Sequence, residues 1–131
     1  MKKAGEKDMS VKTVKSMIAW VEENIKGNPT LEGMSCHVGY SAFYCSAKFH
    51  EYTGISFKKY IATRKLCLAA EEIAATDQRF LDIAVEYGYS SQEAFTRAFV
   101  KQFGRTPGQY RRYGMREGNI AEVREKGSKI C

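Results

Sequence analysis

EYGYSSQEAFTRAF, residues 86–99, is the stretch on which the reading of this chain turns. A turn-like Gly88-Tyr89-Ser90-Ser91 leads into a segment of helical period, with Phe95, Ala98 and Phe99 on one face. Glu93, Thr96 and Arg97 fall on the opposite face, and Gln92 stands at its start. A helix that gathers glutamine, threonine and arginine away from its own core offers hydrogen bonds to something outside the fold.

The stretch has an earlier counterpart. VGYS at 38–41 matches YGYS at 87–90, and Met34-Ser35 aligns with Ile83-Ala84 at the same offset of 49. Further on the offset becomes 50, pairing Phe49 with Phe99, Gly54 with Gly104 and Tyr60 with Tyr110. One inserted residue between these anchors accounts for the change, so the chain reads as a tandem duplication of one small unit.

Each unit has the same grammar. In the first, Thr30 caps a short helix that turns Leu31, Met34 and Val38 inward, with Gly33 as a weakening residue inside it and Gly39 at its end. A second helix follows with Ala42, Cys45, Phe49 and Tyr52 on its inner side. In the second unit the first helix carries Phe80, Ile83, Ala84 and Tyr87, and the quoted helix follows the turn. Ser90 and Glu93 have the S-x-x-E spacing of a capping box, which would occupy Glu93 locally. Helix, short glycine-containing turn, helix is the helix-turn-helix plan.

Further helices frame the units. Residues 11–26 place Val14, Met17, Ile18, Val21 and Ile25 on one stripe, bordered by Trp20 and ended by Gly27-Asn28-Pro29. Ser56 to Thr76 contains neither Gly nor Pro and spreads Tyr60, Ile61, Leu66, Leu68, Ala69 and Ile73 widely around a helix, as a segment touching both units would. About 21 residues at roughly 1.5 Å each span about 31 Å, close to the roughly 34 Å between recognition helices on one face of B-DNA. The expected architecture is all-α: a flexible lead-in at 1–10, a first helix-turn-helix subdomain at 11–54, a linker helix at 55–76, a second subdomain at 77–113, and a flexible basic tail at 114–131 with a helical turn near Ile120–Val123.

Composition narrows the function. The 131 residues are 44% hydrophobic, which suits a globular chain rather than a disordered one. The start, MKKAGEKDMS, lacks the apolar core of a signal peptide, and no apolar run is long enough for a membrane span. The net charge of +6 is uneven, with basic blocks at 41–70 and 101–131 flanking an acidic one at 71–100, an arrangement open to a polyanionic partner. Cys36, Cys45, Cys67 and Cys131 suggest a reducing cytoplasm with free thiols. Cys36, His37, Cys45 and His50 cluster in sequence, but Cys-x8-Cys-x4-His matches no common zinc pattern, so neither a metal nor a cofactor is expected. No nucleophile–base set, paired carboxylates or phosphate-cradling loop emerges, which argues against an enzyme.

The block DIAVEYGYSSQEAFTRAFVKQFGRTPGQYRR at 82–112, with the earlier Gly39-Tyr40-Ser41, Phe49 and Thr53-Gly54, resembles the DNA-binding domain of the AraC/XylS family. The match covers about residues 11–113, most like the short MarA/SoxS-like members. That resemblance implies seven helices in two subdomains and a bacterial, cytoplasmic transcription regulator. Such a protein binds double-stranded DNA as a monomer at an asymmetric site and activates promoters with RNA polymerase.

Carried over by position, it puts Gln92, Thr96, Arg97 and Phe43 against base edges. Lys48, Tyr44, Ser91, Arg111 and Arg112 would lie against the DNA backbone. The chemistry suits these tasks, since arginine forks onto guanine, glutamine onto adenine, and threonine or an aromatic ring meets a thymine methyl. The last helix, Pro107–Tyr113 with Thr106 as cap, carries the arginine pair.

The first unit departs from the pattern, because Ala47 stands where the MarA-like members carry a basic residue equivalent to Arg97. Phe43 and Tyr44 have a second reading, as side chains packed under the loop. Three alternatives to a self-contained regulator stand beside it: the DNA-binding fragment of a larger effector-sensing regulator, a thiol or metal redox sensor, and a helical adaptor that binds only protein.

Overall fold

The computed structural model describes residues 11–113, and the expected lead-in at 1–10 and tail at 114–131 lie outside them. Among the described residues seven α-helices follow one another: α1 Val11–Glu23, α2 Leu31–Val38, α3 Ala42–Thr53, α4 Phe57–Ala75, α5 Phe80–Glu86, α6 Gln92–Phe103 and α7 Pro107–Tyr113. No strand occurs among the described residues. The all-α expectation holds.

The chain divides into two compact units between Ile61 and Ala62, a boundary inside α4. That explains why the apolar residues of α4 are spread widely around it. Its start gives buried Phe57 and Tyr60 to the first core, and its remainder gives Leu66, Cys67, Ala69, Ala70 and Ile73 to the second. The 19-residue helix is capped by Ser56, whose Oγ accepts from Lys59 N at 3.1 Å.

In the first unit α1 buries Val14, Met17 and Val21 at helical spacing. It passes into a single 3-10 turn at Ile25–Gly27, and the left-handed residue after it is Asn28 at φ 62°. Thr30 caps α2 as expected, its hydroxyl accepting from Gly33 N at 3.0 Å. Gly33 proves to have a packing reason: a Cβ there would come within 3.0 Å of Trp20 Cη2. The close approach lets the Trp20 ring lie over α2, where it also meets His37 at 6.3 Å between centroids. Phe49 sits at the centre, fully buried, with Phe57 and Tyr60 edge-on at 5.5 and 5.3 Å. Tyr60 donates to Glu22 Oε2 at 3.2 Å, tying α4 to α1. Tyr52, expected inside, is 45% exposed. It lies on the face that Cys45 and Phe49 define, but in the last turn of α3, beyond the residues that the helix buries.

The second unit is built on aromatic rings. Phe95, Phe99 and Phe103 recur every four residues on the buried face of α6, and Phe99 meets Phe103 at 4.7 Å and Tyr110 at 5.5 Å. Burying each such ring contributes roughly 1.5–3 kcal/mol. Tyr87 donates to Glu72 Oε2 at 2.6 Å, tying α5 to α4 as Tyr60 ties α4 to α1 in the first unit. Cys36 is exposed and Cys45 buried, and neither forms a disulfide among the described residues. Cys67 is buried in the second core, and Cys131 lies outside the described residues.

Candidate nucleic-acid interface

The duplication is visible in three dimensions, unit by unit. α3 and α6 are both 12 residues long, with N-caps Ser41 and Ser91 and C-caps Gly54 and Gly104. Their buried rows also correspond, Cys45 with Phe95 and Phe49 with Phe99. Gly39 caps the end of α2 and Gly88 follows Tyr87, the C-cap of α5, both glycines at φ 85°, a left-handed conformation that glycine adopts without penalty. Gly39 and Ser41 are separated by Tyr40 alone, whereas Gly88 and Ser91 are separated by Tyr89 and Ser90. The inserted residue therefore lies in the second turn.

That insertion corrects the expected capping box. Ser91 caps α6, its Oγ accepting from Ala94 N at 3.0 Å, and Ser90 lies in the turn before it. Glu93 is then the second residue of the helix, one short of the position from which a carboxylate reaches back to its cap. Aligning the two GYS motifs hides this, because Ser90 matches Ser41 in motif while Ser91 matches it in role.

On α6 the outward surface is assembled by the burial of the phenylalanine row. Gln92, Glu93 and Arg97 are exposed and Thr96 is half-buried. All four line one shallow, open concavity. Val100, one turn beyond Thr96, extends the same face at 38% exposure. Sequence reasoning missed Val100, although its helical spacing from Thr96 and Arg97 carries the signal. Arg97 makes no ion pair or hydrogen bond among the described residues. Its five donors remain available in the fixed fork of a guanidinium.

α3 offers a different surface. Phe43 is 85% exposed, which rules out packing under the loop. Tyr44 is half-buried against Tyr40, with ring centroids 5.7 Å apart. Lys48 lies over the Tyr44 ring at 5.6 Å and pairs with Glu51 Oε1 at 3.0 Å. Its hydrogen bond to Glu51 is the main reason its pKa is raised. Glu51 shares the outward face of α3 with Lys48, and their i, i+3 spacing of opposite charge makes the pair legible in the sequence. Ala47 is exposed and places no polar group on this face.

The arginines of α7 separate. Thr106 and Gln109 form a reciprocal cap, Thr106 Oγ1 accepting from Gln109 N at 3.1 Å and Gln109 Oε1 accepting from Thr106 N at 2.9 Å. Arg111, expected on the DNA backbone, turns inward instead. Its Nε donates to Ile73 O and its Nη2 to Gln78 O, each at 2.8 Å, and its guanidinium lies 4.7 Å over the Phe80 ring. Carbonyls at a helix end lack intrahelical donors, and Arg111 supplies them to the end of α4 and the segment after it. Arg112 is exposed, 5.6 Å over the Tyr113 ring.

Lys65 of α4 lies beside the second turn, its Nζ 3.6 Å from where a Cβ on Gly88 would stand, and burial lowers its pKa. Cys45 is buried while Cys36 and His50 are exposed, and no group of three or more metal-ligating side chains is gathered among the described residues. No described helix is long and apolar enough to cross a membrane.

A helix-turn-helix domain family model matches residues 34–113. The regulatory protein SoxS of Escherichia coli K12 is 38% identical over 100 residues, covering 76% of this chain and 94% of SoxS. The right origin-binding protein of the same strain is 35% identical over 99 residues, covering 76% of this chain and 34% of that protein. The DNA-binding domain of AdpA, a global transcriptional factor whose structure was solved in complex with a target DNA, shares the fold. Its TM-score is 0.70 at 22% identity, covering 80% of this chain and 96% of that one.

Proposed function

The chain belongs to the AraC/XylS family of helix-turn-helix regulators, and from that premise we propose that it regulates transcription by binding double-stranded DNA in a sequence-specific manner. The observation that carries this reading is the outward face of α6. Gln92, Thr96 and Arg97 stand together there on a helix whose phenylalanine row is buried in the core, and Arg97 has no partner among the described residues.

In this reading α6 enters the major groove, where Arg97 forks onto guanine O6 and N7, Gln92 reads adenine, and Thr96 meets a thymine methyl or a phosphate. α3 enters the next major groove of an asymmetric site with Phe43 on a thymine methyl, while Tyr44 and Lys48 contact the backbone. Ser91 retains a hydroxyl proton for a phosphate oxygen, since its oxygen only accepts in the cap. Arg112 adds a charge near the phosphates, and Arg111 positions α7 from within. The protein acts as a monomer on DNA and raises transcription through contact with RNA polymerase, as the resemblance implies.

Selection from a random duplex library followed by footprinting tests the reading. The expected result is one enriched asymmetric motif, protection over two successive major grooves on one face, and affinity that falls steeply with salt as counterions are released. Binding that selects no sequence and ignores salt would sink it.

A further inference from the structure

The corrected capping register leaves Glu93 without a task. It sits one residue short of the box position, and it makes no hydrogen bond or ion pair among the described residues. It is exposed, and it lines the same concavity as Gln92, Thr96 and Arg97. A carboxylate placed there is repelled by a polyanion unless a donor on the base edge meets it. Its chemistry then decides which base that is.

An ionised carboxylate only accepts hydrogen bonds. In the major groove guanine presents N7 and O6, both acceptors, and thymine presents O4 and a methyl, so neither has a donor to offer. Adenine offers N6 but sets the acceptor N7 beside it, whereas cytosine offers N4 with no acceptor neighbour on that edge. We infer that Glu93 is a specificity-determining residue that accepts from N4 of a cytosine in the groove read by α6. This rests on the DNA-binding reading and extends it, adding a negative selector beside the positive Arg97. The carboxylate favours one base and also lowers affinity for all sites that lack it.

The test is selection from random duplexes with the full chain as wild type, Glu93→Gln and Glu93→Ala. The wild type should enrich a cytosine at one position of its motif. Glutamine accepts and donates as adenine requires, so Glu93→Gln should move that position to adenine, and Glu93→Ala should leave it without preference. Both variants should lose about fivefold in affinity for the wild-type motif, the low end of discrimination by one good base contact. Both should gain affinity for scrambled DNA.

An unchanged cytosine in all three motifs would overturn the inference while leaving the DNA-binding reading standing. A wild type that enriches no sequence would end both. The competing role is electrostatic, since a carboxylate in a first turn favours the helix dipole. In that case both variants would melt at lower temperature and select the wild-type motif, which also overturns the inference.

Discussion

Arg97 on α6 and Ala47 on α3 occupy the same place in two helices of equal length, fifty positions apart between matching serine and glycine caps. Beneath them the buried rows correspond in position but differ in size, Cys45 and Phe49 under α3 against Phe95, Phe99 and Phe103 under α6, and the outward faces differ as well. One helix presents a forked cation with no partner among the described residues. The other presents a methyl group, and its nearest cation, Lys48, is already paired with Glu51.

Replacing Arg97 by alanine should therefore cost about 1–3 kcal/mol of binding and relax preference at a single base pair. Thermal stability should stay unchanged, because the side chain makes no contact that holds the fold together. Competition binding against duplexes varied one pair at a time reads this directly. A variant that ranks all four bases as the wild type does would remove Arg97 from the readers.

Specificity should be lopsided, concentrated in the half-site under α6. Ala47→Arg should restore balance, adding sequence information to the other half and steepening the salt dependence by about 0.9 in slope if the new charge reaches a phosphate. Two equally informative halves in the wild-type motif would contradict the idea that α3 lacks its principal reader.

The two serines of the second turn give a cleaner test of the fold. Ser91 Oγ accepts from Ala94 N at 3.0 Å, so Ser91→Ala should cost about 1 kcal/mol, the usual loss for an N-cap. Ser90 does not cap α6, and Ser90→Ala should stay within about 0.5 kcal/mol. Urea unfolding of both variants checks it, and a larger loss at Ser90 would restore the register that the GYS motifs suggest.

That contrast marks where the sequence was legible. The duplication, the helix-turn-helix grammar, the Thr30 cap and the phenylalanine face of α6 all follow from short-range pattern, because helical period and cap chemistry act within one or two turns. The capping serine did not, since a single inserted residue slides a motif past its structural role without changing its letters. Gly33 and Arg111 were illegible for another reason. Trp20 lies on another helix and Ile73 is 38 residues from Arg111, so the contacts that explain these residues have no local signature. An exposed arginine and one that caps another helix look alike until the chain is folded.

Lys48 and Glu51 set up a competition on α3. The ammonium holds Glu51 Oε1 at 3.0 Å, and a phosphate must displace that carboxylate to take its place. Glu51→Gln should tighten binding to random DNA at low salt by freeing the lysine and removing a like charge from the groove. Lys48→Ala should lower the salt slope by about 1 and weaken all sequences uniformly, as the loss of a phosphate contact does. A slope that stays the same would take Lys48 out of the interface.

Tyr87 supplies a pH dependence whose sign is determined by its surroundings. Its hydroxyl donates to Glu72 Oε2 at 2.6 Å, and burial first, then that hydrogen bond, raise its pKa above the ordinary value of 10.0. A raised pKa means that the folded protein holds the proton more tightly than the unfolded chain. The stabilisation is complete below about pH 10, where unfolded tyrosine begins to ionise, and is lost as pH rises toward the higher folded value. Tyr87→Phe should cost about 1–2 kcal/mol at about pH 8, the range for a bond to a charged acceptor that keeps some solvent access. The gap between the wild type and Tyr87→Phe should then narrow at about pH 11, because only the wild type has a phenol at this position to ionise. Urea titrations at both pH values measure the two gaps. A gap of constant size would mean that the hydroxyl contributes by packing alone, with its proton playing no part in holding α5 to α4.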